Sequence, residues 1–345
     1  MAPWPTRLSH FVGVRDQQPL EPTYVGVGTG CLGRRTVAIP SNYDWPQNRF
    51  ASPVSFDRRM GFRFMAGLAA ATLTSMDSHV VAESRTRAYM NVDAHAEPEV
   101  LLNCLGQVET FGPHVEVRHL TYHAIPGGAG VDVGCGHGRA VAELVELGVP
   151  ALGVDRSDVM VKAAQRRFPS CTFVLGDALS VPFPDGSMRW YRAERVYLHL
   201  PDPLAALAEA RRVLSPGGTI IVADQDFDST VITSSHPDLT RKLTTMYTDD
   251  LPNGRIGSRM RGLLANAGFT DISVSAHPIV FTDLELIGPY IPSGAISIAV
   301  KTGALSVEQA DDWMADLQAH ARRQQFLLAY AMFITTARAP GRSAK

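Results

Sequence analysis

The chain has 345 residues, a formal net charge of −2 at pH 7 and a mean hydropathy of −0.01. A net charge so close to zero provides no field that would gather nucleic acid, and no run of about 20 apolar residues is present to span a membrane. We therefore expect a protein with no nucleic-acid partner and no membrane span. Its four cysteines show no paired C-x-x-C spacing, which indicates reduced thiols in a cytoplasmic protein and no zinc site.

Residues 1–75 differ from the rest because prolines recur there without any helical or strand period. We expect a poorly ordered N-terminal extension. Three explanations stay open at this point. The start codon is assigned too early, with Met65 or Met76 as the true beginning; the extension is disordered; or it forms a helical arm that would make the protein a homodimer.

Residues 84–122 have apolar positions in a roughly 3.6-residue rhythm, at Val100, Leu101, Leu105 and Val108. This rhythm predicts helices that precede the first strand. Such helices would cover a ligand cleft at the edge of the sheet.

The most informative segment is residues 131–139, where an apolar strand turns through three alternate glycines into a helix. The glycine spacing does not match the Gly-x-Gly-x-x-Gly of a dinucleotide site, because Arg139 or Val141 stands at the third position. Asp132 lies at the end of the strand, where a carboxylate would repel a phosphate and suit a cationic amino group. The segment therefore predicts a cofactor that carries an ammonium group.

Acidic residues also end the next two predicted strands. Asp155 follows Gly136 by 19 residues, a position from which a carboxylate can accept from both hydroxyls of a ribose. Asp177 follows the third strand and is placed to accept from the exocyclic amine of an adenine. The three strands together predict a nucleoside that bears an amino acid.

The remaining elements follow in order. A helix begins at the Asp202-Pro203 pair and ends before residues 216–218, and a fifth strand covers residues 219–224. The acids that follow, Asp224, Asp226 and Asp228, are a conceivable Mg²⁺ site, but alternation points neighbouring side chains apart, and we expect no metal.

Two helices separated by residues 251–254 occupy residues 234–264, and the sixth strand covers residues 268–281. A helix with a Ser306 and Gln309 capping box lies in residues 282–323. Residues 325–337 are predicted to form the last strand. The two helical segments would enclose a pocket for a mostly apolar acceptor of small or medium size.

Four segments in this order and spacing carry a family resemblance: residues 131–139, 176–187, 193–203 and 213–218. Over residues 88–339 the chain resembles a class I S-adenosylmethionine-dependent methyltransferase of the ubiquinone/menaquinone-methyltransferase type. The resemblance implies an α/β fold, a Rossmann-like doubly wound sheet of seven strands with the last strand antiparallel. It places the methyltransferase domain in residues 76–345, with a helical substrate cover inserted at about 234–264 and 282–323.

The resemblance also implies roles for individual residues toward S-adenosyl-L-methionine. Asp132 would lie near the methionine ammonium, and Glu194 and Arg195 would lie near the methionine portion. Asp155 would hold the ribose. The other implied cofactor-binding residues are Tyr89 as a lid, Gly134, Gly136 and Gly138 in the loop, Arg156 after the second strand, and Asp177 and Ala178 around the adenine.

Each of these residues could instead have a purely structural role. The glycines serve packing in many doubly wound proteins, Asp155 and Asp177 would equally cap the helices that follow, and Tyr89 would equally be a core tyrosine. Related sequences usually carry an aspartate early in the fourth strand, where this chain has Arg189.

The function implied is methyl transfer to a small-molecule acceptor, in specialised metabolism such as antibiotic biosynthesis. The candidate bases are His199, Asp226 and His236, although His199 would equally hydrogen-bond a helix turn and an amine acceptor needs no base. An enzyme that binds the same cofactor without transferring methyl, for example in a cyclisation, is the main alternative. An NAD-dependent oxidoreductase is disfavoured by the glycine spacing. Whether carbon, nitrogen or oxygen accepts the methyl group stays open.

Overall fold

The structure is a computed structural model that describes Asp93 and residues 110–341. The predicted extension at residues 1–75, the lid candidate Tyr89 and most of the predicted helical region at residues 84–122 lie outside the described residues. The end of that region is helical, from Gly112 to Tyr122.

A seven-stranded sheet has the order β3-β2-β1-β4-β5-β7-β6. Strand β7 is antiparallel to both β5 and β6, while β1 to β5 pair in parallel. The predicted fold, with seven strands and the last one antiparallel, is confirmed. The strands are β1 (Gly130–Val133), β2 (Ala151–Asp155), β3 (Thr172–Leu175), β4 (Met188–Glu194), β5 (Leu214–Ile232), β6 (Thr270–Phe281) and β7 (Leu328–Arg338).

Helices pack on both faces of the sheet, as a sheet with central parallel strands requires. In the described part of the chain they are α1 (Gly112–Tyr122), α2 (Arg139–Glu146), α3 (Asp158–Arg167), α4 (Pro203–Val213), α5 (Pro237–Asp250), α6 (Ile256–Asn266), α7 (Leu284–Ile287), α8 (Ile291–Lys301) and α9 (Val307–Arg322). Among these described helices, the structure holds none with the length and apolar character that crossing a bilayer would need.

The helix ends match the local sequence signals. Asp202 accepts from the backbone N–H of Ala205 at the start of α4, which carries a proline in its first turn. At the start of α9, Ser306 and Gln309 form both hydrogen bonds of the predicted capping box. These signals are local, and the structure reproduces them without a shift.

Strand β5 is longer than predicted, because it begins at Leu214 and continues to Ile232. Its first residue pairs with Met188 of β4, ahead of an irregularity in the pairing. Its far end stays in the sheet because β7 pairs with it on the other side, as far as Ile232. Pairing with a distant strand therefore extends β5 beyond the run of apolar residues from which its length was predicted.

Register assigns side chains to the two faces of the sheet, because paired residues share a face and successive residues alternate. Asp132 pairs with Arg192, and Arg192 pairs with Ile221. Alternation along β5 then puts Gln225 and Phe227 on this same face. Helix α1 covers it, because the Arg192 Nε donates to Thr121 Oγ1 of α1 at 2.7 Å. We call this the α1 face.

Helix α6 covers the opposite face. The backbone N–H of Ser258, in its first turn, donates to Asp226 Oδ2 at 3.0 Å. A Cβ added to Gly257 would lie 2.7 Å from the Phe333 ring and 3.1 Å from the backbone oxygen of Asp224. Glycine at position 257 therefore allows α6 to pack directly against the strands.

Candidate cofactor site

The glycine loop joins β1 to α2 at the carboxyl edge of the sheet. Gly134, Gly136 and Gly138 all have positive φ angles, of 71°, 52° and 81°. A Cβ at Gly134 would meet the Val196 side chain at 2.3 Å, and a Cβ at Gly138 would meet the Phe173 ring at 2.4 Å. A Cβ at Gly136 would meet no described atom within 4 Å. Packing thus accounts for the outer two glycines, while the space beside the middle one holds no described atom and leaves room for a ligand.

Asp155 ends β2 beside this loop. Its Oδ2 accepts from the Gly136 backbone N–H and its Oδ1 from the Ser157 backbone N–H, both at 2.9 Å. Burial raises the pKa of Asp155, and the two backbone donors oppose this effect. The carboxyl group therefore tethers the middle of the glycine loop and keeps lone pairs that can accept from a ligand's hydroxyl groups.

The predicted adenine residues follow β3 at the same edge. Asp177 is half-buried, and its Oδ1 accepts from the Leu179 backbone N–H at 2.9 Å. Ala178 is buried. Arg156 is exposed after β2. Asp177 thus caps a local turn and not a helix, because no helix lies between β3 and β4 in the described chain, and its second carboxyl oxygen stays available.

A buried ionic cluster lies on the α1 face next to the loop. The Arg192 Nη1 donates to Asp132 Oδ1 at 2.5 Å, and its Nη2 donates to Glu194 Oε2. Arg192 is 1% exposed, and its Cζ lies 5.5 Å from the centroid of the Tyr122 ring. Two of the predicted cofactor acids are therefore joined by one guanidinium.

Arg192 was missed by the reasoning from sequence. The feature that could have identified it is a charged residue inside a strand. Its neighbours Tyr191 and Ala193 are buried, and an acid follows two residues later. An arginine there must be paired, because an isolated charge inside a sheet is costly. Its partner on β1 could not be predicted, because the sequence of one strand does not determine its register with another strand.

Glu194 and Arg195 end β4 beside this cluster. The Glu194 Oε1 has no hydrogen-bond partner among the described atoms, although the Arg195 Nε lies 3.5 Å away. Burial alone would raise the pKa of Glu194, but the charges of Arg192 and Arg195 hold it below its ordinary value. Arg195 has a φ of 57°, an uncommon angle for a residue with a side chain. The strand end thus presents an ionised, buried carboxylate oxygen.

His199 lies in a short 3₁₀ helix, Tyr197–His199, that follows β4. Its Nδ1 is buried without a hydrogen-bond partner in the described part of the chain. Burial, with the charges of Arg195 and Arg156, lowers the pKa of His199 to about 4. The imidazole is therefore neutral at pH 7 and can accept a proton or a hydrogen bond.

Asp224 and Asp226 point to the face opposite the cluster. Asp224 Oδ2 accepts from the Tyr197 backbone N–H at 3.0 Å, and burial raises the pKa of Asp224 to about 8. Asp226 is 4% exposed, and its two oxygens accept from the backbone N–H groups of Asp228 and Ser258. Both carboxyl groups support backbone turns, which assigns Asp226 a capping role.

His236 is exposed at the residue before α5. Its backbone N–H donates to the Ser234 hydroxyl at 3.0 Å. The acid Asp228, in the same predicted cluster as Asp226, pairs with Arg255. The structure therefore does not gather the three predicted bases at one point, and only His199 follows a strand that carries cofactor-site residues.

The donor set fits S-adenosylmethionine. The open side of Gly136 allows close approach of a ligand to the backbone. Asp155 at the end of β2 suits ribose hydroxyls. The ionised oxygen Glu194 Oε1 suits an ammonium group, since charge-assisted hydrogen bonds are the stronger ones. These three groups lie at the carboxyl ends of adjacent strands, where open α/β sheets bind ligands.

Comparison with known proteins agrees with this geometry. Residues 131–222 match the family described as a methyltransferase domain. The chain is 34% identical over 226 residues to an uncharacterised 37.1 kDa transposon protein of Streptomyces fradiae, and the match covers 63% of this chain and 64% of that protein.

Two further relatives carry names of activities. A demethylmenaquinone methyltransferase of Renibacterium salmoninarum is 32% identical over 154 residues, which cover 45% of this chain and 57% of the relative. An O-methyltransferase of Penicillium expansum is 29% identical over 153 residues, which cover 42% and 53%. In all three comparisons the chain spans less than two thirds of the relative's length.

Proposed function

We propose, from the premise that this chain belongs to the class I S-adenosylmethionine-dependent methyltransferases, that it transfers a methyl group from S-adenosylmethionine to a small-molecule acceptor. One observation carries the proposal. A buried, ionised carboxylate oxygen, Glu194 Oε1, lies at the end of β4 without a hydrogen-bond partner among the described residues. It is the group that a methionine ammonium requires.

The other cofactor contacts follow from the strand ends. Asp155 accepts from the ribose hydroxyls, and Asp177 with Ala178 frames the adenine. Gly136 lets the backbone approach the ligand closely. When bound, the cofactor supplies an electrophilic methyl group on a positively charged sulfur.

The residues of this chain contribute mainly alignment and the exclusion of water. Holding donor and acceptor in reactive contact supplies about 7–11 kcal/mol in favourable cases. His199, neutral at pH 7, is the proposed proton acceptor for a hydroxyl or carbon acceptor. Asp226 is not proposed as a base, because both of its oxygens are occupied by backbone donors.

The acceptor is proposed to lie farther along the α1 face, beyond Glu194. Buried aromatic side chains pack together there: the ring centroids of Phe227 and Tyr330 are 5.3 Å apart, and those of Phe281 and Tyr330 are 6.1 Å apart. The Tyr330 hydroxyl is 3.0 Å from the His114 Nε2. Gln225, on the same face and 9% exposed, has an Oε1 without a hydrogen-bond partner within the described chain. An aromatic cluster with a few polar groups beside it would suit a mostly apolar acceptor.

Specialised metabolism is the proposed setting. The O-methyltransferase of Penicillium expansum is one relative that supports transfer to a small molecule, and the demethylmenaquinone methyltransferase is another. The helices α5 and α7 to α9, on either side of β6 in the chain, supply the separate cover that a tailored acceptor would need.

Calorimetric titration of the full chain with S-adenosylhomocysteine tests the proposal. We expect micromolar binding that is weakened at least tenfold by Glu194→Gln and by Asp155→Ala, with no binding of NADH. Asp238→Asn is the matched control, because Asp238 pairs with Arg241 on the exposed surface of α5. Absence of S-adenosylhomocysteine binding by a folded protein would refute the cofactor assignment. Turnover of an acceptor without formation of S-adenosylhomocysteine would favour the non-methylating alternative.

A further inference from the structure

Arg192 is a fully buried charged residue in the middle of the sheet whose role the proposed function leaves unassigned. All three of its donor nitrogens have partners: Nη1 has Asp132, Nη2 has Glu194, and Nε has Thr121. Neighbouring strand residues Trp190 and Tyr191 are also fully buried. A role in packing alone does not require a charge here, since well-packed apolar residues commonly replace buried ion pairs without loss of stability.

The geometry of the cluster determines which oxygen of Glu194 remains available. Arg192 and Glu194 are two residues apart on β4, so their side chains share the α1 face, and Asp132 pairs with Arg192 in register. Because the guanidinium is planar and its donors are fixed in a fork, it holds Asp132 on one nitrogen and Glu194 Oε2 on another. Oε1 of Glu194 is left without a hydrogen bond from any described residue.

Charge balance in the cluster also depends on Arg192. Two carboxylates that share a buried site repel each other, and one of them takes up a proton unless a cation lies between them. The charged or titratable groups that face Arg192 are Asp132, Glu194 and Tyr122, and Arg195 and Arg118 also act on Glu194. Arg192 is the one among these cations that hydrogen-bonds both acids in the described structure.

We propose that Arg192 is a positioning residue of the cofactor site, which holds Glu194 Oε2 beside Asp132 and directs Glu194 Oε1 toward the methionine ammonium of S-adenosylmethionine. The proposal rests on the proposed function, because it assigns the methionine end of the cofactor to Glu194. It predicts that loss of Arg192 weakens contacts to the amino-acid portion of the ligand and leaves the nucleoside contacts at Asp155 and Asp177 intact.

Two ligands separate these contacts. S-adenosylhomocysteine contains the amino-acid portion, and 5′-methylthioadenosine lacks it while keeping the nucleoside and the sulfur. Calorimetric titration of both ligands is made with the full-length protein, with Arg192→Met and with Arg192→Lys. Lysine keeps the positive charge but offers a single ammonium in place of the fork. Unfolding of each variant is followed in parallel.

We expect Arg192→Met to bind S-adenosylhomocysteine ten- to a hundredfold more weakly, about the effect of losing one charge-assisted hydrogen bond, with the affinity for 5′-methylthioadenosine changed less than threefold. Arg192→Lys should lose less affinity for S-adenosylhomocysteine, again with little change in the affinity for 5′-methylthioadenosine. This variant tests the proposal if Arg192→Met does not fold. The matched control is Arg255→Met. The guanidinium of Arg255 also joins two acids, Asp228 and Asp249, neither of which is a cofactor-site residue, and its loss should leave both affinities unchanged.

Equal weakening of both ligands in Arg192→Met and Arg192→Lys would show a general structural role and overturn the proposal. Unchanged S-adenosylhomocysteine binding in either folded variant would overturn it as well. If the proposed function itself is wrong, the unmodified protein would bind neither ligand, and this result distinguishes the two cases.

Discussion

Asp93 precedes Ser157 by 64 residues, yet its Oδ1 accepts a 2.6 Å hydrogen bond from the Ser157 hydroxyl. Asp93 also accepts from the backbone N–H groups of Asp158 and Val159 at 3.2 Å. Burial alone would raise the pKa of Asp93, but these bonds hold it below its ordinary value. Residue 93 thus adds a second cap to α3, immediately after the cofactor residue Asp155.

Asp93→Ala should therefore reduce the free energy of unfolding by about 1–2 kcal/mol, as loss of a helix cap does. It should also weaken S-adenosylhomocysteine binding several-fold, because the loop that follows Asp155 loses a tether. Asp93→Asn keeps one acceptor oxygen and should lie between the two. Urea unfolding and calorimetric titration measure these effects, and an unfolding midpoint equal to that of the unmodified protein would contradict the capping role.

Gly136 and Gly138 are expected to differ when each is replaced by alanine. Gly138→Ala forces a Cβ to within 2.4 Å of the Phe173 ring, so it should lower stability by about 2 kcal/mol or more. Gly136→Ala has open space and bears only the cost of its positive φ, about 1 kcal/mol. Its main effect should be on ligand affinity, because the new Cβ would occupy space that we assign to the cofactor.

Thermal unfolding and titration with S-adenosylhomocysteine separate the two variants. We expect binding to be lost in Gly136→Ala while the protein stays folded. The reverse ranking, with Gly136→Ala the less stable protein and ligand affinity intact, would mean that Gly136 does not face the cofactor.

Asp224 should make stability depend on pH in the direction opposite to most carboxyl groups. Its pKa is raised by burial to about 8, whereas an unfolded aspartate ionises near pH 4. The native state therefore retains a proton that the unfolded state releases, and stability falls as pH rises from about 4 to about 8, by at most about 5 kcal/mol.

Asp224→Asn removes this dependence and keeps an oxygen that can accept from the Tyr197 backbone N–H. Urea unfolding at pH 5, 7 and 9 should show a gain for the asparagine variant over the unmodified protein that increases with pH. A constant difference across the three pH values would indicate that Asp224 is ionised in the native state.

His199 should change stability with pH in the opposite direction to Asp224. Its pKa of about 4 lies below the ordinary value of 6.5, so the unfolded state binds the additional proton. The contribution of His199 to the free energy of unfolding is complete above pH 7. It falls by about 3 kcal/mol as the pH decreases toward 4. His199→Gln should flatten the unfolding free energy between pH 7 and pH 5. If the slope survives in the variant, another group is responsible for it.

The helix caps were predictable because their signals are local, whereas the antiparallel last strand was predicted from the family resemblance. Asp202 precedes a proline, Ser306 precedes Gln309 by three residues, and each pair forms the expected contact. The positions of Asp132 and Asp155 at strand ends were predictable for the same reason. Their roles toward the cofactor stay predictions that the titrations above are designed to test.

The partners of those acids were decided by the tertiary structure. Asp132 and Arg192 are 60 residues apart, and nothing in either strand states that they pair in register. In the sequence Asp226 looked equivalent to Asp224 and Asp228, but helix α6 packs beside it and supplies a backbone donor. By itself, the sequence determined which segments form strands and helices, because periodicity and capping act over a few residues. The tertiary structure decided which buried charges compensate each other, because a charge inside the sheet is stable only beside a partner that folding brings to it.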